Sequence, residues 1–182
     1  MEIITKKHWR GWNSEDKEFS DWARKSTDEN FKIYAERLEK LRPRLKERNY
    51  EFFKNGLHDG RIISFSVGEG LYLDLEKNSW LDINDFSETH VQIKVIDAYF
   101  EAIYDLKYER VSKVIFDFPS DSPLWGYSIG DWGYDELAEI DEKTLRHEVL
   151  FSSGTTILIE FGKFSFRKKK HKGNRYKSKS DK

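Results

Sequence analysis

At Leu57 the chain changes its apolar period, and that change limits the possible folds more than any other feature of its 182 residues. Upstream, Phe31, Tyr34, Leu38, Leu41 and Leu45 recur at spacings of three and four, the stripe of a helix that buries one face. Downstream the spacing is two. Ile63, Phe65 and Val67 share one side while Ser64 and Ser66 take the other, and beyond Gly68-Glu69-Gly70 the pattern resumes with Leu71, Leu73 and Leu75 against Tyr72, Asp74 and Glu76. This predicts a hairpin over residues 57–75 with one dry and one wet face.

Similar alternation marks Val91, Ile93 and Val95, then Val114, Phe116 and Phe118. Residues 132–140, 145–151 and 155–161 also read as extended, with Gly162-Lys163 turning into a last short strand at 164–167. Helices followed by strands with short connections make an α+β fold: N-terminal helices packed on a mainly antiparallel, meander-like sheet. Residues 1–56 form the helical segment, 57–167 the sheet region of the same compact unit, and 168–182 a basic flexible tail.

Within the helical segment, Ile3-Ile4 suggests a short strand and residues 15–24 a first helix. Ser26-Thr27-Asp28-Glu29 reads as a capping box opening a second helix. Pro43 should kink or restart that helix near Arg42, and Asn55-Gly56 should stop it. Residues 99–108 fit strand or helix equally, and 120–130 read as a loop.

Charged residues at 36% and a mean hydropathy of -0.80 lean towards disorder, but 15% aromatic residues supply the burial that a disordered chain lacks. With no cysteine, disulfides, thiolate metal sites and thiol nucleophiles are excluded. No secretory-type apolar stretch opens the chain and no apolar run approaches the ~20 residues of a membrane span, so a soluble, cytoplasmic protein without membrane association is expected. The net charge of -1 conceals an asymmetry. Residues 167–182 hold nine Lys or Arg and one Asp, leaving 23 basic and 32 acidic side chains elsewhere, a body of net charge -9.

Strand parity yields the sharpest site reading. His147 falls on the same side as Leu145, Val149 and Phe151, and Asp59 on the side of Ile63 unless Gly60 introduces a bulge. Buried ionisable groups need partners, so Asp59 and His147 should satisfy each other, or either should pair with a tyrosine. The functional alternative has His58, Asp59, Asp135, Glu136 and His147 converging as an acid/base or metal site. Their spacing matches no helical metal motif, and neither a phosphate-binding glycine loop nor a nucleophile elbow occurs, so no metal or cofactor is expected. Trp125, Tyr127, Trp132 and Tyr134 stand beside glycines as candidate binding aromatics, with core packing as the equal alternative. Lys168, Lys169 and Lys170 are candidate phosphate contacts.

Five segments carry a resemblance: Ile4-Thr5-Lys6-Lys7-His8-Trp9, the charged helical region, Leu57-His58-Asp59, Trp132-Gly133-Tyr134-Asp135-Glu136 and His147-Glu148-Val149-Leu150-Phe151. In these the chain resembles a bacterial family of uncharacterised small proteins, the domain of unknown function 4085, over most of residues 1–166. It departs from that pattern at Gly133, where the family has a bulky apolar residue, and at Asp135, where it has glutamate. The family implies no catalytic residues. Its general appearance is similar to immunity proteins that cover a toxin's active surface. The expected function is therefore a non-enzymatic protein-binding module, with a basic toxin domain as one form of partner. The alternatives are a nucleic-acid-associated protein acting through the basic tail, or a hydrolase built on the His/Asp group.

Overall fold

A computed structural model describes residues 2–69, 88–118 and 128–171, and the backbone at 73–74 and 79–80. Three helices come first, α1 (Lys6–Trp12), α2 (Lys17–Leu41) and α3 (Glu47–Asn55), with a 3-10 turn at Arg42–Arg44. The strands follow: β1 (Arg61–Glu69), β2 (Leu73–Asp74), β3 (Ser79–Trp80), β4 (Thr89–Ile96), β5 (Ala102–Asp117), β6 (Trp132–Glu139), β7 (Leu145–Phe151) and β8 (Thr156–Lys170). Six of them form one antiparallel sheet in the order β1-β4-β5-β8-β7-β6, and β2 pairs with β3. The fold is α+β, as the change of period requires.

The helices differ from the sequence reading in where they start. Asp16 caps α2, its carboxylate accepting from the amides of Glu18 at 2.9 Å and Phe19 at 3.1 Å. The helix then runs unbroken through Ser26-Thr27-Asp28-Glu29, which is not a capping box. Thr27 donates its hydroxyl to the Ala23 carbonyl one turn back at 2.7 Å and Ser26 is engaged by His8, so neither hydroxyl is left for a cap. Pro43 does end the helix, and α3 stops at Gly56, whose φ of 63° suits glycine. Ile3 and Ile4 form no strand. Side chains hold their backbone instead: Glu136 accepts from the Ile3 amide at 3.0 Å and Asn30 donates to the Ile3 carbonyl at 2.6 Å.

The predicted hairpin over 57–75 is replaced by a longer-range pairing. β1 pairs with β4, whose Val91, Ile93 and Val95 are fully buried and offer a full-length apolar partner. A bulge between Ile62 and Ser64 also reverses the parity at its start. Ile62 and Phe65 therefore pack on the core, while Ile63 is 52% exposed.

β5 joins the segment 99–108, which fits strand or helix, to the separate strand expected at 114–118; Arg110 takes a φ of 55°, and a bulge follows between Val111 and Lys113. Gly162-Lys163 is no turn. Lys163 lies opposite Glu109 in the ladder and its ammonium reaches that carboxylate at 3.1 Å, so β8 continues straight through. Lys168, Lys169 and Lys170 pair with Tyr104, Ile103 and Ala102, which moves the start of the basic run out of the tail and into the sheet.

The sheet curls until its two outer strands meet at one corner. Asp59 donates its amide to the Trp132 carbonyl and Trp132 donates back to the Gly60 carbonyl, both at 2.7 Å. Into the concave side α3 inserts Phe52 and Phe53, whose rings lie 4.8 Å from Phe166 and 4.7 Å from Phe164. Each side chain so buried contributes ~1.5–3 kcal/mol, which is why the two-residue stripes and the helical stripe end in one core. Helix α2 lies along β6, where the Tyr34 hydroxyl accepts the Leu137 amide at 3.1 Å and so pairs a donor of the outermost strand.

Candidate functional site

Inside the curl, polar side chains from β5, β6 and β7 form a closed chain. The Tyr108 hydroxyl lies 2.7 Å from Nδ1 of His147, whose Nε2 lies 3.2 Å from Oδ2 of Asp135, and Trp132 donates its indole N–H to the same oxygen at 3.2 Å. An imidazole that accepts from the tyrosine hydroxyl at Nδ1 and donates from Nε2 to the aspartate satisfies every member. Burial, and then the Asp135 charge, push the Tyr108 phenol well above its usual range. Phe53 closes one side, its ring edge-on to His147 at 5.0 Å. The His147 side chain has no exposure and Asp135 has 6%, so the cluster lies within the core.

The expectation for His147 is thus half met. It is buried and paired with a tyrosine, but its carboxylate is Asp135. Asp59 lies outside, because a φ of 60° turns it away from the β1 face, and it pairs with His58 at 3.1 Å in an exposed position. Glu136, one residue from Asp135 and so on the opposite face, accepts from the Glu2 and Ile3 amides. Burial raises its pKa, and those two donors oppose the rise. The five residues proposed to converge therefore occupy three separate places, and among the described residues no group of His, Asp or Glu is placed to hold a metal ion.

A second feature was only partly legible. The bulge at Gly133 puts Trp132 and Tyr134 on different sides of β6. Trp132 is fully buried and belongs to the core rather than to a surface. Tyr134, half-buried, is the hub of an aromatic cluster: Trp12 lies 4.8 Å away, Phe31 5.7 Å, Trp9 6.3 Å and His58 5.2 Å. Phe31 is 41% exposed although it belongs to the helical stripe. The His58-Asp59 pair stands on the rim, and burial followed by the Asp59 charge raises the pKa of the Tyr134 phenol. Trp125 and Tyr127 lie outside the described residues. Between α2 and strands β6 and β7 a cleft of about 300 Å³ has Leu41 and Leu137 in its walls and Arg37, Lys40 and Arg146 around them.

Sequence reasoning named neither Tyr108 nor Trp12 as a site member and placed Phe31 only in the helical stripe. Tyr108 left one signal, its shared parity with Leu106.

The architecture defines an α+β protein with a curled six-stranded antiparallel sheet, a sealed Tyr-His-Asp core and an open aromatic cluster. The chain matches no family model, no curated protein and no solved structure. Among the described residues no helix is long and apolar enough to cross a membrane.

Proposed function

We propose that the protein is a non-enzymatic binding module that receives a basic protein partner on the aromatic cluster around Tyr134. The observation that carries this reading is the combination of Trp12 and Phe31, each in ring contact with the half-buried Tyr134, and the Asp59 carboxylate 66% exposed beside them. Clustered aromatic side chains bury much area at small rotamer cost, and a neighbouring carboxylate selects a lysine or arginine of the partner. The net charge of -9 over residues 1–166 adds long-range attraction to the same partner.

In its particular form the proposal is an immunity protein that covers a basic toxin domain, in line with the resemblance to the domain of unknown function 4085 family. Affinity purification of the tagged chain from its host tests it. One basic partner should co-purify in stoichiometric amount, and Phe31→Ala or Asp59→Lys should release it. If the chain captures only abundant housekeeping proteins, or if both variants retain the partner, the reading fails.

A further inference from the structure

The turn between β4 and β5 is built firmly and yet displays large apolar side chains. The Asp97 carbonyl accepts from the Phe100 amide at 3.0 Å, and its carboxylate accepts from the amides of Glu101 at 2.7 Å and Ala102 at 3.2 Å. On this braced turn Tyr99 is 83% exposed and Phe100 is 55% exposed. Phe100 has a φ of 58°, in the left-handed region that a bulky side chain disfavours. A turn needed only to join two strands would favour glycine or asparagine there.

Basic side chains are fixed beside this turn. Lys170 pairs with Ala102, and the His171 amide donates to the Glu101 carbonyl at 2.7 Å, so the end of β8 is tied to the turn itself. Further along the same strand pair, cations lie over rings: Lys168 Nζ is 5.1 Å from the Tyr104 ring centre and the Arg48 guanidinium is 4.3 Å from that of Phe166. No carboxylate of a described residue lies within ion-pair distance of Arg48, Lys168 or Lys170. Of the two nearby acids, Asp97 is occupied by the backbone of the turn and Glu101 leaves a second negative charge near Lys168, whose ammonium hydrogen-bonds the Tyr104 hydroxyl.

We infer that this surface binds single-stranded nucleic acid, with Tyr99 and Phe100 as stacking platforms for bases and Arg48, Lys168 and Lys170 as contacts for the phosphates. Rings interleaved with cations are the arrangement that sequence-tolerant single-strand binders use. An anionic membrane would engage the apolar tip and the cations next to it. Here the pairing of ring and cation continues along β5 and β8, away from the tip, which a strand of nucleotides can follow and a bilayer surface cannot. The surface shares no residue with the aromatic cluster around Tyr134, so either proposal can fail without the other.

Fluorescence anisotropy of the full-length chain with labelled oligo(dT) and oligo(rU) tests this. Binding should weaken with salt at a log-log slope of about -0.7 for each phosphate contacted. Tyr99→Ala and Phe100→Gly should each weaken it about tenfold. Because glycine relieves the strain at position 100, Phe100→Gly should leave the thermal midpoint equal or higher, which separates lost stacking from lost folding. Lys168→Ala with Lys170→Ala should flatten the salt slope by about 1 to 2. The inference is overturned by unchanged oligonucleotide affinity in Phe100→Gly, by no binding of either oligonucleotide at low salt, or by Tyr99-dependent binding to phosphatidylserine vesicles that oligonucleotide does not displace.

Discussion

The Tyr108 hydroxyl stands 2.7 Å from Nδ1 of His147, both side chains being buried on adjoining sides of β8. Phe53 and Phe164 pack against this pair and exclude water, so neither group has a substitute partner.

Tyr108→Phe should therefore lower stability by about 1–3 kcal/mol, the cost of leaving one buried imidazole nitrogen unpaired. Urea denaturation measures it. A double-mutant cycle with Asp135→Asn should show coupling, because both act on the same imidazole ring. Additive losses would mean that the three groups do not act as a connected chain.

Tyr34→Phe should cost a similar ~1–3 kcal/mol and act locally. The Leu137 amide on the outer side of β6 has the Tyr34 hydroxyl as its acceptor, at 3.1 Å. Native-state hydrogen exchange should speed up at Leu137 while the amide of Val149, in the neighbouring strand, stays protected. Equal acceleration at both would show global rather than edge destabilisation.

His8 predicts a pH dependence. Its Nδ1 accepts the Thr5 amide at 3.1 Å, its Nε2 lies 3.0 Å from the Ser26 hydroxyl, and its ring stacks on Trp22 at 5.2 Å. Burial first, and the Lys7 charge second, hold its pKa below the ordinary 6.5. A depressed folded pKa contributes stability that is present above the unfolded value and is lost as pH falls through the folded one. At pH 7.5, His8→Gln should be less stable than the parent by about 1 kcal/mol. That gap should narrow steadily from pH 6.5 towards pH 5, followed by chemical denaturation at each pH. A constant gap would exclude His8 as the titrating group.

Much of the architecture was legible because burial imposes a period. Val91, Ile93 and Val95 lie on one face of β4, and Leu145, His147, Val149 and Phe151 on one face of β7, as alternation requires. Pro43 and Gly56 ended helices through backbone chemistry that acts within a few residues. The errors arose where a partner distant in sequence overruled a local signal. His8 engaged the Ser26 hydroxyl, Glu109 held Lys163 in the ladder, and β4 took β1 from its neighbour in the chain. The site divided in the same way. The inward direction of His147 was a matter of parity, whereas Tyr108 and Asp135 became its partners only when β5 and β6 arrived on either side.

Periodicity and turn residues by themselves determined that this chain places helices before an antiparallel sheet and turns His147 inward, since both follow from which side of each element is apolar. Tertiary structure alone decided the strand order, the bulges at Ile63 and Gly133, and the gathering of Trp12, Phe31, His58 and Tyr134 at one surface. The reason is physical: one inserted residue reverses every later side chain in a strand, and strand choice depends on competing faces far apart in the chain.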